Sequence, residues 1–274
     1  MDTRFWGPSG WRLLHLISFT YTPKKAHVYR EFFTTLPYVL PCKFCRTSLQ
    51  DYMEEEPLEP ALHSLETLTK WLWKIHNKVN AKLRGQGLPT APDPSFTTVK
   101  EVYEQKLAYG CTKTTFDGWE FLFSIAENHP FSKGVKSSLP MTGAPRLEDA
   151  KTSEERNRWN IMKVEERMKY FKRFWKSLVL VLPFEQWRTA WRGCKRDVEG
   201  IGSKTLWIRE LWKVRCCMER TLDLENRDAF GPFCKRLRDH KSGCNKTKKA
   251  RTCRSMKSYG SKGQTKKWKQ QQQQ

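Results

Sequence analysis

Leu65, Leu68, Leu72, Ile75 and Val79 recur every three or four residues, so one face of a helix from about residue 65 to 83 is apolar. The same spacing upstream joins Trp11, Leu14 and Ile17, with His15 and Ser18 beside them, and Pro23 stops that helix. A second helix is expected from Ala26 to Leu36, ended by Pro37. Pro41 opens a third, which carries Cys42 and Cys45. Gly85, Gly87, Pro89, Pro92 and Pro94 make a loop, and Phe96 to Leu107 reads as a short fifth helix. Helices of this length joined by proline-marked loops specify an all-α chain, with a four-helix bundle plus a short fifth helix over residues 1–108.

Two further zones follow. Residues 109–240 also read as helical, a second domain with no recognisable motif. Gly118 to Glu127 is aromatic-rich, a loop lies around Ser137 to Pro145, and Thr152-Ser153-Glu154-Glu155 is a capping box opening a long helix toward Leu182. Trp175, Trp187, Trp191, Trp207 and Trp212 call for a core or an interface, so this zone is a candidate dimerisation or interaction module and a homodimer is expected. Residues 241–274 hold many lysines and arginines, no acidic residue and a glutamine end, which predicts a disordered tail. The net charge of +22 favours anionic partners, and weak anion or nucleic-acid binding is assigned to the tail.

Compartment follows from what the sequence holds. Met1-Asp2-Thr3-Arg4 does not open a secretory signal, and the longest apolar run, Leu178 to Phe184, is far short of the roughly 20 residues a membrane helix needs. A cytoplasmic protein with no membrane span is expected. Structural disulfides are unusual there, so a close cysteine pair reads as catalytic or metal-binding. Cys42-Lys43-Phe44-Cys45 is such a pair. On the first turn of a helix its sulfurs share one side, within bridging range, near unpaired backbone N–H groups that stabilise thiolate.

The flanks move the pair toward redox chemistry. Gly7, Trp11 and His15 stand at four-residue intervals upstream, and His76-Asn77-Lys78-Val79-Asn80-Ala81-Lys82-Leu83 stands downstream. Together with the C-x-x-C, in this order, they resemble the Erv/ALR family of FAD-linked sulfhydryl oxidases over about residues 5–107. The resemblance implies an FAD-binding bundle, FAD as cofactor, no metal, and transfer of electrons from thiol-containing protein substrates to molecular oxygen, giving hydrogen peroxide. It makes Cys42 the cysteine that meets the incoming thiol and Cys45 the one facing the flavin. It assigns Gly7, Trp11, His15, Tyr21, His76, Asn77, Val79, Asn80, Lys82 and Leu83 to the cofactor.

The resemblance also has departures. Trp73 occupies a position where many members carry a cysteine of a structural disulfide, leaving Cys111 as the remnant partner, and Pro8 stands where the family has an arginine. Members from large DNA viruses share this shorter pattern, and Val102-Tyr103-Glu104-Gln105 fits their fifth helix, so a viral protein in the host cytoplasm or virion is expected. Cys234, Cys244 and Cys253 are candidates for a mobile shuttle pair. Cys216 and Cys217 are not expected to bridge each other, since adjacent Cα atoms stand about 3.8 Å apart and disulfides want about 4.4–6.8 Å. The competing reading is a zinc-containing nucleic-acid-binding protein using the C-x-x-C and the basic tail, with Cys234, His240, Cys244 and Cys253 as further ligands of uncommon spacing.

Overall fold

The computed structural model describes residues 3–88, 90–131, 164–194 and 202–240. Among these residues the regular structure is helical throughout, as expected. A 3-10 turn at Pro23–Lys25 accompanies α1 (Thr3–Ser18), α2 (Ala26–Val39), α3 (Lys43–Glu55), α4 (Leu58–Ala61), α5 (Leu65–Gly85) and α6 (Phe96–Tyr109). The second zone supplies α7 (Trp119–Glu127), α8 (Val164–Val181), α9 (Glu185–Cys194), α10 (Lys204–Thr221) and α11 (Phe230–Asp239). The loop around Ser137 to Pro145, the capping box at Thr152–Glu155 and residues 241–274, with Cys244 and Cys253, lie outside the described residues. Among the described residues no helix is long and apolar enough to cross a membrane.

Local signals fix most ends. Ser64 caps α5 by accepting the Thr67 N–H, while Thr67 Oγ1 accepts the Ser64 N–H at 2.9 Å, a reciprocal capping box. Pro37 does not end α2. It sits in the last turn, where it removes a single ladder bond, and Leu40 N–H still donates to the Leu36 carbonyl at 3.1 Å. The one-turn helix α4 carries no periodic signal because four residues are too few to show one.

The bundle packs α1, α2, α3 and α5 around Leu13, Ile17, Phe32, Phe33, Leu68 and Leu72, with α6 laid across α1 and α5. The second zone closes directly over it. The Phe174 ring of α8 stacks on Phe32, Tyr170 stacks on Tyr38 at 3.8 Å, and Arg173 forks onto the Glu31 carboxylate. Helix α7 lies along α1 at close range: a Cβ on Gly10 would meet the Phe121 ring at 3.0 Å. Gly118, with φ +120°, caps α7 where a Cβ would strike Leu13 at 2.6 Å, so this position admits only glycine. The boundary expected near residue 108 falls between α6 and α7, yet one hydrophobic cluster runs across it.

The tryptophans of the second zone form a core. Trp175, Trp187, Trp191 and Trp207 are buried, and Trp212 packs against them beside Phe123 and Phe233. A disulfide joins Cys194, the last residue of α9, to Cys217 of α10, with Cα atoms 5.6 Å apart. This corrects the expectation that paired cysteines here are catalytic or metal-binding. The two helices bring together residues 23 apart, a separation that corresponds to no helical or turn spacing.

Candidate functional site

Cys42 is the N-cap of α3, in extended backbone, and its carbonyl accepts the N–H groups of Cys45 (3.1 Å) and Arg46 (3.0 Å). Cys45 therefore lies in the first helical turn, beside the positive end of the helix. Cys42 is 2% exposed, while Cys45 is partly open. The turn before the pair is tied down by Arg46, whose buried guanidinium donates to the Leu40 carbonyl at 2.6 Å. Burial keeps reagents from Cys42 while this turn is closed. Arg46→Ala is expected to cost about 2 kcal/mol, the scale of a charged hydrogen bond. It should also quicken alkylation of reduced Cys42, read by peptide mass; an unchanged alkylation rate would show that Arg46 does not hold the turn.

Across the bundle, α1 and α5 bring their predicted residues together. Trp11 stacks on His76 with ring centroids 3.9 Å apart. His15 Nε2 and His76 Nδ1 share a hydrogen bond of 3.1 Å, one nitrogen donating and the other accepting. Tyr103 of α6 stacks on His15 and on Phe19, forming a lid of aromatic surface. Lys82 donates to Ser48 Oγ, linking α5 to the helix that carries the cysteine pair. Asn80 Nδ2 donates to Asp93 at 2.8 Å, and Arg84 forks onto the same carboxylate. Asn77, Val79 and Leu83 are half-buried on the same stretch of α5.

Two other predicted residues stand apart from this cluster in character. Tyr21 lies beyond the end of α1, packs edge-on against Tyr29, and spends its hydroxyl on the Leu62 carbonyl. Gly7 has open space where a Cβ would go, whereas Gly10 is the glycine of α1 that a close neighbour requires. Sequence reasoning did not single out Arg46, Ser48, Asp93 or Tyr103 as site residues. The match of residues 102–105 to a fifth helix offered a signal for Tyr103 alone.

Burial sets the protonation of the histidine pair. His15 is held down to about 3, because desolvation penalises the imidazolium and His76 adds repulsion. His76 is held down to about 4 by desolvation, with Asp93 pulling the other way. Burial pushes the Tyr103 hydroxyl up to about 12, with Asp117 adding to it. Both imidazoles are thus neutral near pH 7. Their folded pKa values lie below the unfolded value of 6.5, so the unfolded chain takes up protons first as pH falls. Stability from this pair is complete above about pH 6.5 and is lost as pH falls toward 4 and 3. Thermal melts should show a lower midpoint at pH 5 than at pH 7, and His76→Gln should shrink that difference; a midpoint unchanged between the two pH values would contradict it.

Among the remaining described cysteines, Cys111, Cys216 and Cys234 are thiols. Burial raises the pKa of each, which lowers their thiolate content near neutral pH.

The sequence profile described as the Erv1 / Alr family matches residues 8–103. The protein of Acanthamoeba polyphaga mimivirus described as a probable FAD-linked sulfhydryl oxidase is 38% identical over 85 residues, covering 29% of this chain and 59% of that one. The mitochondrial FAD-linked sulfhydryl oxidase of Saccharomyces cerevisiae is 32% identical over 87 residues, 30% of this chain and 45% of its own. A provisionally named FAD-linked sulfhydryl oxidase of Invertebrate iridescent virus 6 is 31% identical over 102 residues, 34% of this chain and 89% of its own. The chain belongs to the Erv1/Alr family. No solved structure matches it. The Erv1/Alr segment takes in Trp11, His15, Cys42, Cys45, His76 and Asn80, and it stops inside α6, before any helix of the second zone. It spans about half the length of the mimivirus and yeast relatives.

Proposed function

We propose that this protein is an FAD-dependent thiol oxidase that makes disulfide bonds in thiol-containing protein substrates, with Cys42 and Cys45 as its dithiol–disulfide couple and oxygen as final acceptor. The carrying observation is the stacked and hydrogen-bonded set Trp11, His76 and His15 on α1 and α5, of which α5 packs against the helix bearing the cysteine pair. His15 Nδ1 is buried with no protein partner, as a site awaiting a ligand group would leave it. The flat ring surface of Trp11 and His76 suits a planar heteroaromatic, and Lys82, further along α5, suits its phosphate. The residues present therefore fit FAD. Trp11, His15, His76, Asn77 and Asn80 would hold its rings and Lys82 its pyrophosphate, with Asn80 sharing its amide with Asp93.

Bound FAD would supply a two-electron acceptor that returns to its oxidised form against oxygen, giving hydrogen peroxide. The protein's own part is thiol chemistry. A substrate thiolate attacks Cys42 Sγ of the Cys42–Cys45 disulfide, and Cys45 leaves as thiolate. A second substrate thiolate then attacks the substrate sulfur of the mixed disulfide and releases Cys42. The N-terminus of α3 favours the thiolate form of Cys45. The neutral histidine pair offers hydrogen bonds without adding positive charge, and Tyr103 shields it from water.

The test is a visible spectrum with an oxygen-uptake assay on dithiothreitol. Purified protein should be yellow and consume oxygen when given the dithiol. A folded protein that stays colourless with added FAD would overturn the reading.

A further inference from the structure

We infer that the Cys42–Cys45 pair closes the Cys194–Cys217 disulfide of its own chain, before the second zone docks on the bundle. The inference rests on the oxidase reading and names a substrate for it: the dithiol of α9 and α10. Five described cysteines lie outside the C-x-x-C, and two of them are joined while Cys111, Cys216 and Cys234 remain thiols. Cys194 and Cys217 are thus the two, among the described cysteines outside the C-x-x-C, that the fold brings within bonding range. Cys194 is 6% exposed in the shared core, where Thr221 Oγ1 lies 3.8 Å from its sulfur, and Cys217 packs against the same core. Cys194 is out of reach of a protein oxidant once α9 and α10 have packed, while Cys217 stays partly open.

Chain order supplies the opportunity. The bundle carrying Cys42 and Cys45 precedes the second zone, and N-terminal units fold first. The unpacked Cys194 and Cys217 are then tethered to a competent redox pair, at an effective concentration set by the intervening chain. One thiolate of the second pair attacks Cys42 Sγ, forming a mixed disulfide and releasing Cys45 thiolate. The other attacks the sulfur of its own partner in that mixed disulfide, which forms Cys194–Cys217 and releases Cys42 thiolate. Two thiols are oxidised and two are made, so the protons balance and no further oxidant enters this step.

Full-length chain, reduced and unfolded, is diluted into aerated buffer with FAD, and samples are alkylated over time for peptide mass. Closure of Cys194–Cys217 should be at least about tenfold faster in the wild type than in Cys42→Ser or Cys45→Ser, with a rate constant independent of protein concentration. Equal closure in all three overturns the inference, and a rate proportional to concentration overturns closure within one chain. For variants that do not refold, occupancy of the disulfide in chains alkylated at cell lysis is the second readout: equal occupancy in wild type and variants overturns it. Oxygen uptake with dithiothreitol separates the two readings. Uptake with equal closure defeats only this inference, whereas no uptake defeats the oxidase reading as well.

Discussion

Cys45→Ser should stop dithiol oxidation, with a fall in turnover on the order of a thousandfold or more. One sulfur cannot form the intramolecular disulfide that accepts two electrons, so a thiol that reaches Cys42 has no leaving group to displace. The Trp11, His15 and His76 cluster lies on α1 and α5, and the substitution is on α3, so bound flavin and helical content should be retained. Serine is close in size to cysteine and Cys45 is partly open, so the stability change should stay within about 1 kcal/mol. Cys42→Ser should give the same loss of turnover. Oxygen uptake, the visible spectrum and circular dichroism check all three expectations. A variant retaining more than about a tenth of wild-type turnover would remove the pair from the mechanism.

A chain ending at residue 109 should fail as a soluble monomer. It keeps α1 to α6 and so every residue of the candidate site, but it loses the cover on α1 and α2. Trp6, Leu13, Phe32 and Tyr38 would lose Phe121, Gly118, Phe174 and Tyr170 respectively, and Glu31 would lose Arg173. Each of these side chains loses one neighbour and part of its burial, so the four together cost on the order of a few kcal/mol. The exposed face should drive self-association, read as a mass above the monomer in sedimentation and a melt well below that of the full chain. A monomeric short chain melting at the full-length midpoint would show that the second zone contributes nothing to the bundle. The same packing bears on the expected homodimer: of the tryptophans offered as its interface, Trp175, Trp187, Trp191 and Trp207 are buried within one chain and Trp212 is partly buried.

Much of the bundle was legible because its signals are local. Proline positions and apolar spacing placed α1, α2, α3, α5 and α6 to within a few residues. The misses have local causes too. Pro37 was read as a stop although a last-turn proline removes only one bond, and α4 is too short to be periodic. The candidate site was legible in its motif residues and not in their supports. Arg46 follows a cysteine in the sequence like any solvated arginine, and only packing buries it against the Leu40 carbonyl. Asp93 sits in a proline-rich loop, where an acid usually faces water, yet it holds both Asn80 and Arg84.

By itself the sequence determined which residues share a helical face: Trp11 with His15, His76 with Asn80, and Cys42 with Cys45 on one turn. The period of the α-helix fixes those relations wherever the helix goes. The tertiary structure decided which faces meet. It set Trp11 on His76, closed Cys194 onto Cys217, buried Cys42 and laid α8 along α2. These outcomes depend on side-chain fit between elements far apart in the chain, and no spacing along one helix carries that information.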